Sequence, residues 1–142
     1  MKKFPKKQFA LPKEIVKQVD TLSTEGDDLL ESGKYENAAE KYIEAFRLLP
    51  NPKEQWEVAY WLIKFWGICY LEAKQYETAV NSFESALFYK AAETDAEVFL
   101  LLGKSYYLNG NKEKAKVNLK KAFQMGGKEA FEGEDEYLYM VR

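Results

Sequence analysis

Apolar residues recur along this chain with the spacing of helices, not strands. Ile15, Val19, Leu22, Gly26 and Leu29 follow one another at intervals of 4, 3, 4 and 3, which places them on one face of a helix that Pro12 opens. Small and large residues then return in a fixed order. One segment carries Gly26, Leu29, Gly33, Tyr35, Ala38, Tyr42, Ala45 and Pro50. A second carries Gly67, Tyr70, Lys74, Tyr76, Ala79, Phe83, Ala86 and Ala91, and a third Gly103, Tyr106, Gly110, Lys112, Ala115, Leu119, Ala122 and Gly127. The offsets are the same in all three. Such self-similarity marks a stack of supersecondary units, each a pair of antiparallel helices. Gly26, Gly67 and Gly103 fall where the first helix of a pair crosses its neighbour closely. Ala38, Ala79 and Ala115 do the same on the second helix, and Ala45, Ala86 and Ala122 recur farther along it. Tyr42, Phe83 and Leu119 fill the gap that the small residues leave. Gly33 and Gly110 suit left-handed helix ends, a position that Lys74 occupies at some cost in the middle unit.

This order resembles the tetratricopeptide repeat, a helix pair of about 34 residues with W-x2-L-G-x2-Y, A-x3-F and P positions. The resemblance covers residues 19–129 or so. It implies an all-α fold: a right-handed helical solenoid of three helix pairs. The period is uneven. Tyr35 to Tyr76 spans 41 residues and Tyr76 to Lys112 spans 36. The first excess is about two helical turns long and falls at "NPKEQWE". Asn51 as N-cap, Pro52 as first helical residue and Glu54 as reciprocal partner predict a lengthened helix over 52–72. "TDAE" predicts a second capping box, Thr94 with Glu97. The expected organisation is an extended basic arm (1–11), three repeats within 12–129 (about 12–52, 53–92 and 93–127) and a C-terminal capping helix (130–142).

The last segment, "GGKEAFEGEDEYLYMVR", mixes acids with apolar residues. The final pair of a solenoid leaves an apolar face without a neighbour, so this segment is expected to cap it, with a partner-binding element as the alternative. Tyr137, Leu138 and Val141 form one helical stripe, with Phe131 as an anchor. Glu134, Asp135 and Glu136 sit in the first turn, where the helix dipole favours acids.

Charge divides the chain unevenly. The net charge is −2, yet residues 1–13 hold five lysines and no acid, which leaves −7 for the remainder. A basic arm on an acidic body does not fit nucleic-acid binding, which needs a basic face on the body. The arm reads as a solubilising element or one that lies against the protein's own acidic surface. No run reaches the roughly 20 apolar residues of a membrane span, and the basic start is not followed by the apolar core of a secretory signal. The single cysteine, Cys69, reads as a buried small hydrophobe and fits a reducing compartment. Cytoplasmic location is the expectation. Aromatic residues reach 15%, which calls for a core of large rings or an interface that uses them.

Catalysis finds little material here. The chain has no histidine, so the commonest general base and metal ligand is missing. There is no G-x-S-x-G elbow, Walker loop or G-x-G-x-x-G, and "EGEDE" lacks calcium-loop spacing. No catalytic residue, metal ligand or cofactor is expected.

First helices line the concave side of such solenoids. By resemblance, the groove positions are Asp20, Ser23, Asp27, Leu30 and Glu31 in the first unit and Trp61, Lys64, Ile68, Leu71 and Glu72 in the second, with Phe65 beside them. The third unit offers Glu97, Leu100, Lys104, Tyr107 and Leu108. Relatives that grip a peptide's terminal carboxylate use Lys and Asn in the first repeat and Lys and Arg in the third. Here Ser23, Asp27, Glu97 and Leu101 stand there, so no such clamp is expected. The groove is acidic at one end and apolar-aromatic toward the other. The partner implied is a protein or peptide with basic and hydrophobic side chains, bound by a monomer or weak homodimer. A non-catalytic protein–protein interaction module, adaptor or chaperone-like, is the leading expectation. An immunity protein against a secreted bacterial toxin and a type III secretion chaperone are the alternatives. The same aromatic residues could instead serve only to pack the long helices.

Overall fold

The computed structural model describes residues 11–142, and the described residues form seven α-helices and three 3₁₀ turns. In chain order the helices are α1 (Lys13–Glu31), α2 (Tyr35–Arg47), α3 (Glu57–Glu72), α4 (Tyr76–Ala86), α5 (Ala96–Leu108), α6 (Lys112–Gly126) and α7 (Asp135–Tyr139). The 3₁₀ turns, at Lys53–Gln55, Lys90–Thr94 and Gly127–Phe131, separate α2 from α3, α4 from α5 and α6 from α7. From α1 to α6, each helix packs on the next in the chain. Most contacts therefore lie between sequence neighbours, the mark of a solenoid.

The three crossing glycines meet the three large residues. A methyl group added at Gly26 would lie 2.8 Å from the Tyr42 ring; at Gly67 it would lie 2.6 Å from Phe83, and at Gly103 2.7 Å from Leu119. Tyr42, Phe83 and Leu119 are fully buried. Around them Ala38, Ala45, Ala79, Ala86, Ala115 and Ala122 are also fully buried, so small residues let the backbones approach and one large residue per pair fills the space. Cys69 lies in the same core.

Helices α1, α3 and α5 end alike. The N–H groups of Lys34, Gln75 and Asn111 donate to the carbonyls of Leu29, Tyr70 and Tyr106, and those of Gly33, Lys74 and Gly110 donate to Leu30, Leu71 and Tyr107. This is the Schellman pattern, and it needs a left-handed residue. Gly33 (φ 78°) and Gly110 (φ 89°) supply it, while Lys74 is driven to φ 63°.

Helix α3 is apolar nearly all round, burying Val58, Tyr60, Leu62, Ile63, Cys69 and Leu71. That composition follows from its place between α2 and α4. The main core runs from Leu11 on the approach to α1 through to Leu102 on α5. A second, smaller core gathers Leu100, Leu119, Ala122, Phe131, Tyr137 and Leu138, closed by the C-terminal segment. Phe131 is 1% exposed, and the short α7 caps the last pair.

Three sequence expectations need correction. The lengthened helix over 52–72 does not form. Lys53–Gln55 makes one 3₁₀ turn, Trp56 is extended (φ −105°, ψ 118°) and the α-helix starts at Glu57. The reason is the Trp56 side chain: it is buried, and its Nε1–H donates to the Pro50 carbonyl at 2.7 Å. Holding the indole there interrupts the helix. Thr94 is not the cap of α5, since it belongs to a 3₁₀ turn; Asp95 is, accepting from the Glu97 N–H at 3.1 Å. Of the arm assigned to 1–11, residues 1–10 lie outside the described residues, and Leu11 belongs to the core, 8% exposed.

Two substitutions weigh these backbone devices. Gly67→Ala forces the Phe83 ring to move and is expected to cost about 1–3 kcal/mol. Lys74→Gly relieves a left-handed non-glycine residue and is expected to gain about 0.5–1 kcal/mol. Urea unfolding followed by circular dichroism measures both. A Gly67→Ala protein as stable as the parent would remove the close-approach argument.

Candidate functional site

The candidate groove starts on α1, where Asp20, Ser23, Asp27 and Glu31 recur at three- and four-residue spacing on one face. The Tyr42 hydroxyl donates to Asp27 Oδ1 at 2.6 Å, so the ring that fills the Gly26 gap also orients a groove carboxylate. Burial first, then this hydrogen bond, pushes the Tyr42 phenol well above its ordinary range. Aromatic rings continue the strip onto α3. Tyr42 and Phe65 have centroids 5.8 Å apart, Phe65 and Trp61 6.0 Å, and Trp61 and Tyr60 5.6 Å. Trp61, Phe65 and Ile68 are half-buried, whereas Asp20, Glu31 and Glu72 are exposed.

Lys64 takes a different part from the one its position implies. It is 2% exposed. Its Nζ lies 2.8 Å from Asp95 Oδ2 and 2.6 Å from Glu97 Oε1, and 5.0 Å from the centre of the Trp61 ring. Asp95 Oδ2 also accepts from the Tyr60 hydroxyl at 2.6 Å, while its Oδ1 caps α5. One carboxylate thus joins two side chains of α3 to the start of α5. Asp95 and Tyr60 were not singled out in the sequence. A capping aspartate is a local signal that could have found the first; the second is coupled across 35 residues and left none.

Lys104 and Tyr107 on α5 are engaged by the C-terminal segment. Lys104 Nζ pairs with Glu134 Oε1 at 2.6 Å and lies 5.6 Å from the centre of the Tyr137 ring. Tyr107 meets Tyr137 edge-on at 5.8 Å. Leu100 joins the core beneath. The structure therefore brings Asp20, Ser23, Asp27, Glu31, Trp61, Phe65, Ile68 and Glu72 onto the first helices, α1 and α3, and gives Lys64, Lys104 and Tyr107 internal partners.

Two polar atoms on this face lack partners. Ser23 Oγ and Trp61 Nε1 are both buried without a hydrogen bond, and Ser23 is 2% exposed overall. Buried polar groups are nearly always paired, and these two are exceptions. A second hollow, of about 460 Å³, lies between the first two 3₁₀ turns and is lined by Trp56, Tyr60, Tyr89 and Glu93 among others. Among the described residues, no three or more of His, Cys, Asp and Glu are grouped to hold a metal ion, and no helix is long and apolar enough to cross a membrane.

Comparison with known proteins gives the geometry a context. Residues 97–124 match the family model described as tetratricopeptide repeat. No curated protein matches the chain. The second TPR domain of human RPAP3, in complex with the HSP70 peptide SGPTIEEVD, shares the fold with a TM-score of 0.69 at 18% identity, over 89% of this chain and 94% of that one. The Yersinia enterocolitica type III secretion chaperone SycD, in complex with a peptide of the translocator YopD, has a TM-score of 0.72 at 17% identity, over 88% and 90%. MamA from Desulfovibrio magneticus RS-1 has a TM-score of 0.66 at 22% identity, over 87% of this chain and 70% of that one.

The Lys64 node should respond asymmetrically to mutation. Lys64→Met removes a buried cation and leaves Asp95 with Tyr60 and the α5 cap, so stability should stay within about 1 kcal/mol. Asp95→Ala removes a cap, orphans the Tyr60 hydroxyl and weakens the pairing of a buried ammonium, at an expected cost of about 2–4 kcal/mol. Equal losses in urea unfolding would contradict this assignment.

High pH tests the buried phenols. Burial, then the Glu84 carboxylate, pushes Tyr106 up to about 12; burial, then the charges of Glu136 and Glu134, pushes Tyr137 up to about 12. Unfolded tyrosine ionises near pH 10. Between about pH 10 and 12 the unfolded chain therefore holds fewer protons than the folded one. The stability these phenols contribute is fully present below about pH 10 and is lost as pH rises through about 12. Phenolate absorbance should show a delayed class of tyrosines whose ionisation coincides with unfolding.

Proposed function

We propose that this chain, one stretch of which matches a tetratricopeptide repeat, is a non-catalytic protein-interaction module that holds a partner segment along the face of α1 and α3. The reading rests on one observation above the others: the acidic side chains there stand beside a floor of rings, while the lysines at groove positions are matched from within the protein. Asp95 and Glu97 neutralise Lys64, and Glu134 neutralises Lys104. The remaining field comes from the exposed Asp20, Glu31 and Glu72. Basic side chains of the partner would meet these carboxylates, and apolar ones would lie on Trp61, Phe65 and Ile68. An acidic terminus such as that of the HSP70 peptide held by the RPAP3 domain would meet like charge. Adaptor and chaperone roles share this chemistry. A secretion-chaperone role has support in the peptide-bound SycD fold, and a client kept from aggregating would set it apart from an adaptor's folded partner.

Peptide binding by fluorescence anisotropy tests the reading. A peptide carrying lysines and aromatic residues should bind, and more weakly as salt rises. Glu31→Lys with Glu72→Lys, both exposed positions, should weaken it by about tenfold at low salt, equivalent to about 1.4 kcal/mol. The peptide SGPTIEEVD should not bind. Tighter binding of the acidic peptide would overturn the proposal.

A further inference from the structure

Three residues join the helices within each pair, at 32–34, 73–75 and 109–111, whereas nine join one pair to the next, at 48–56 and 87–95. The two longer connections carry the 3₁₀ turns Lys53–Gln55 and Lys90–Thr94, and they meet around one hollow of about 460 Å³. We propose that this hollow is a binding site for a small aliphatic diamine in its doubly protonated form. The site goes beyond the groove of α1 and α3, since none of the groove residues lines it.

A pocket of this volume holds a whole small molecule. Its walls are aromatic, and two of the three rings are fixed. The Trp56 Nε1–H donates to the Pro50 carbonyl at 2.7 Å, and the Tyr60 hydroxyl donates to Asp95 Oδ2 at 2.6 Å. Tyr89 is the third ring, its centre 6.3 Å from that of Tyr60. Rings so placed attract a cation and cover its methylene chain. Tyr89 differs from the other two in one respect. It is 8% exposed, yet its hydroxyl makes no hydrogen bond among the described residues. Burial, then the charge of Glu54, raises its phenol above the ordinary range. It is therefore a neutral hydroxyl at neutral pH, with lone pairs open to an N–H donor.

Charge narrows the class of ligand. Glu54, Glu57 and Glu93 line the hollow and are exposed, and none forms an ion pair among the described residues. Lys90 lines it too and pairs with none of them. Three carboxylates and one ammonium leave two negative charges, which a dication balances. The carboxylates and the Tyr89 oxygen all accept hydrogen bonds, so the cation has to carry N–H groups, which a quaternary ammonium lacks. Among the described residues no three or more of His, Cys, Asp and Glu are grouped to hold a metal ion. Carboxylates spread in this way suit a longer cation, with an ammonium at each end of an aliphatic chain.

Titration of the full chain with 1,5-diaminopentane tests the site by NMR, read at the Trp56 indole Nε1–H. That signal should shift saturably, and the indole of Trp66, which packs on Phe46 outside the hollow, should not. The uncharged 1,5-pentanediol should have no effect. Nα-acetyl-lysine methylamide, with one ammonium, should bind about fivefold or more weakly than the diamine. Tyr89→Phe removes the hydroxyl alone and should weaken the diamine about tenfold, as loss of a hydrogen bond to a charged group does. Glu54→Gln with Glu93→Gln should weaken it about fivefold or more, and Lys90→Gln should tighten it about threefold. The glutamine pair changes only exposed side chains, so it decides the matter even where Tyr89→Phe perturbs the fold. Absence of a saturable shift at Trp56 overturns the inference, as does equal binding of the pentanediol. Unchanged affinity in the glutamine pair also overturns it, because the amine then sits elsewhere. The lysine derivative binding as tightly as the diamine overturns the choice of a free diamine and makes a partner's lysine side chain the occupant.

Discussion

Three missing side chains hold the architecture in place. At Gly26, Gly67 and Gly103 a methyl group would sit 2.6–2.8 Å from the large residue of the facing helix. Because it is absent, Tyr42, Phe83 and Leu119 lie across the glycines, and each helix pair closes at the same offset. Repetition of that offset is what aligns α1, α3 and α5. A groove built from one residue position on successive first helices exists only if the pairs stack alike. In the first pair the link is more direct, since the residue that fills the gap also carries the hydroxyl that orients Asp27. There, packing and site cannot be varied independently.

Electrostatics then fixes the joints that packing leaves open. A lysine buried on α3 is costly unless matched. Asp95 and Glu97 match it, and the same aspartate caps α5 and receives Tyr60. The cost of burying Lys64 is thereby converted into a fixed relation between the second and third pairs. Glu134 does the corresponding work at the end of the solenoid. It lies in the approach to α7 and reaches Lys104 on α5, bringing Tyr137 against Tyr107. The acid-rich end of the chain is thus attached by charge and closed by apolar burial of Phe131, Tyr137 and Leu138.

What the sequence made legible was what repeats or acts locally. The glycine, alanine and large-residue offsets were visible because three copies shared them, and each reported a contact within its own pair. The strained helix end at Lys74 was visible by comparison with Gly33 and Gly110. The C-terminal cap was visible from spacing, because a helix that short has one stripe to bury. The start of α3 was not. Asn51, Pro52 and Glu54 satisfy every local rule for a helix start, yet burial of the Trp56 indole against Pro50 outweighs them. Thr94 and Glu97 form a plausible box, but Asp95 was needed elsewhere, and its second partner on α3 decided which residue caps. Lys64 and Lys104 looked like groove lysines because their partners, at 31 and 30 residues' distance, leave no periodic trace.

Those non-local pairs alter the chemistry of the face more than its shape. With Lys64 and Lys104 free, the groove would carry both signs and could accept acidic segments at its α5 end. On the proposed groove reading, with Lys64 matched by Asp95 and Glu97 and Lys104 by Glu134, that option is closed, and the open carboxylates at Asp20, Glu31 and Glu72 set the sign. These three are exposed, so they can change with little effect on folding. Asp27, Lys64 and Lys104 are tied to Tyr42, Asp95 and Glu134, so a charge reversal there disturbs the stack as well as the surface. On the groove reading proposed above, charge selection therefore rests on residues the fold does not need, standing on a platform of residues it does.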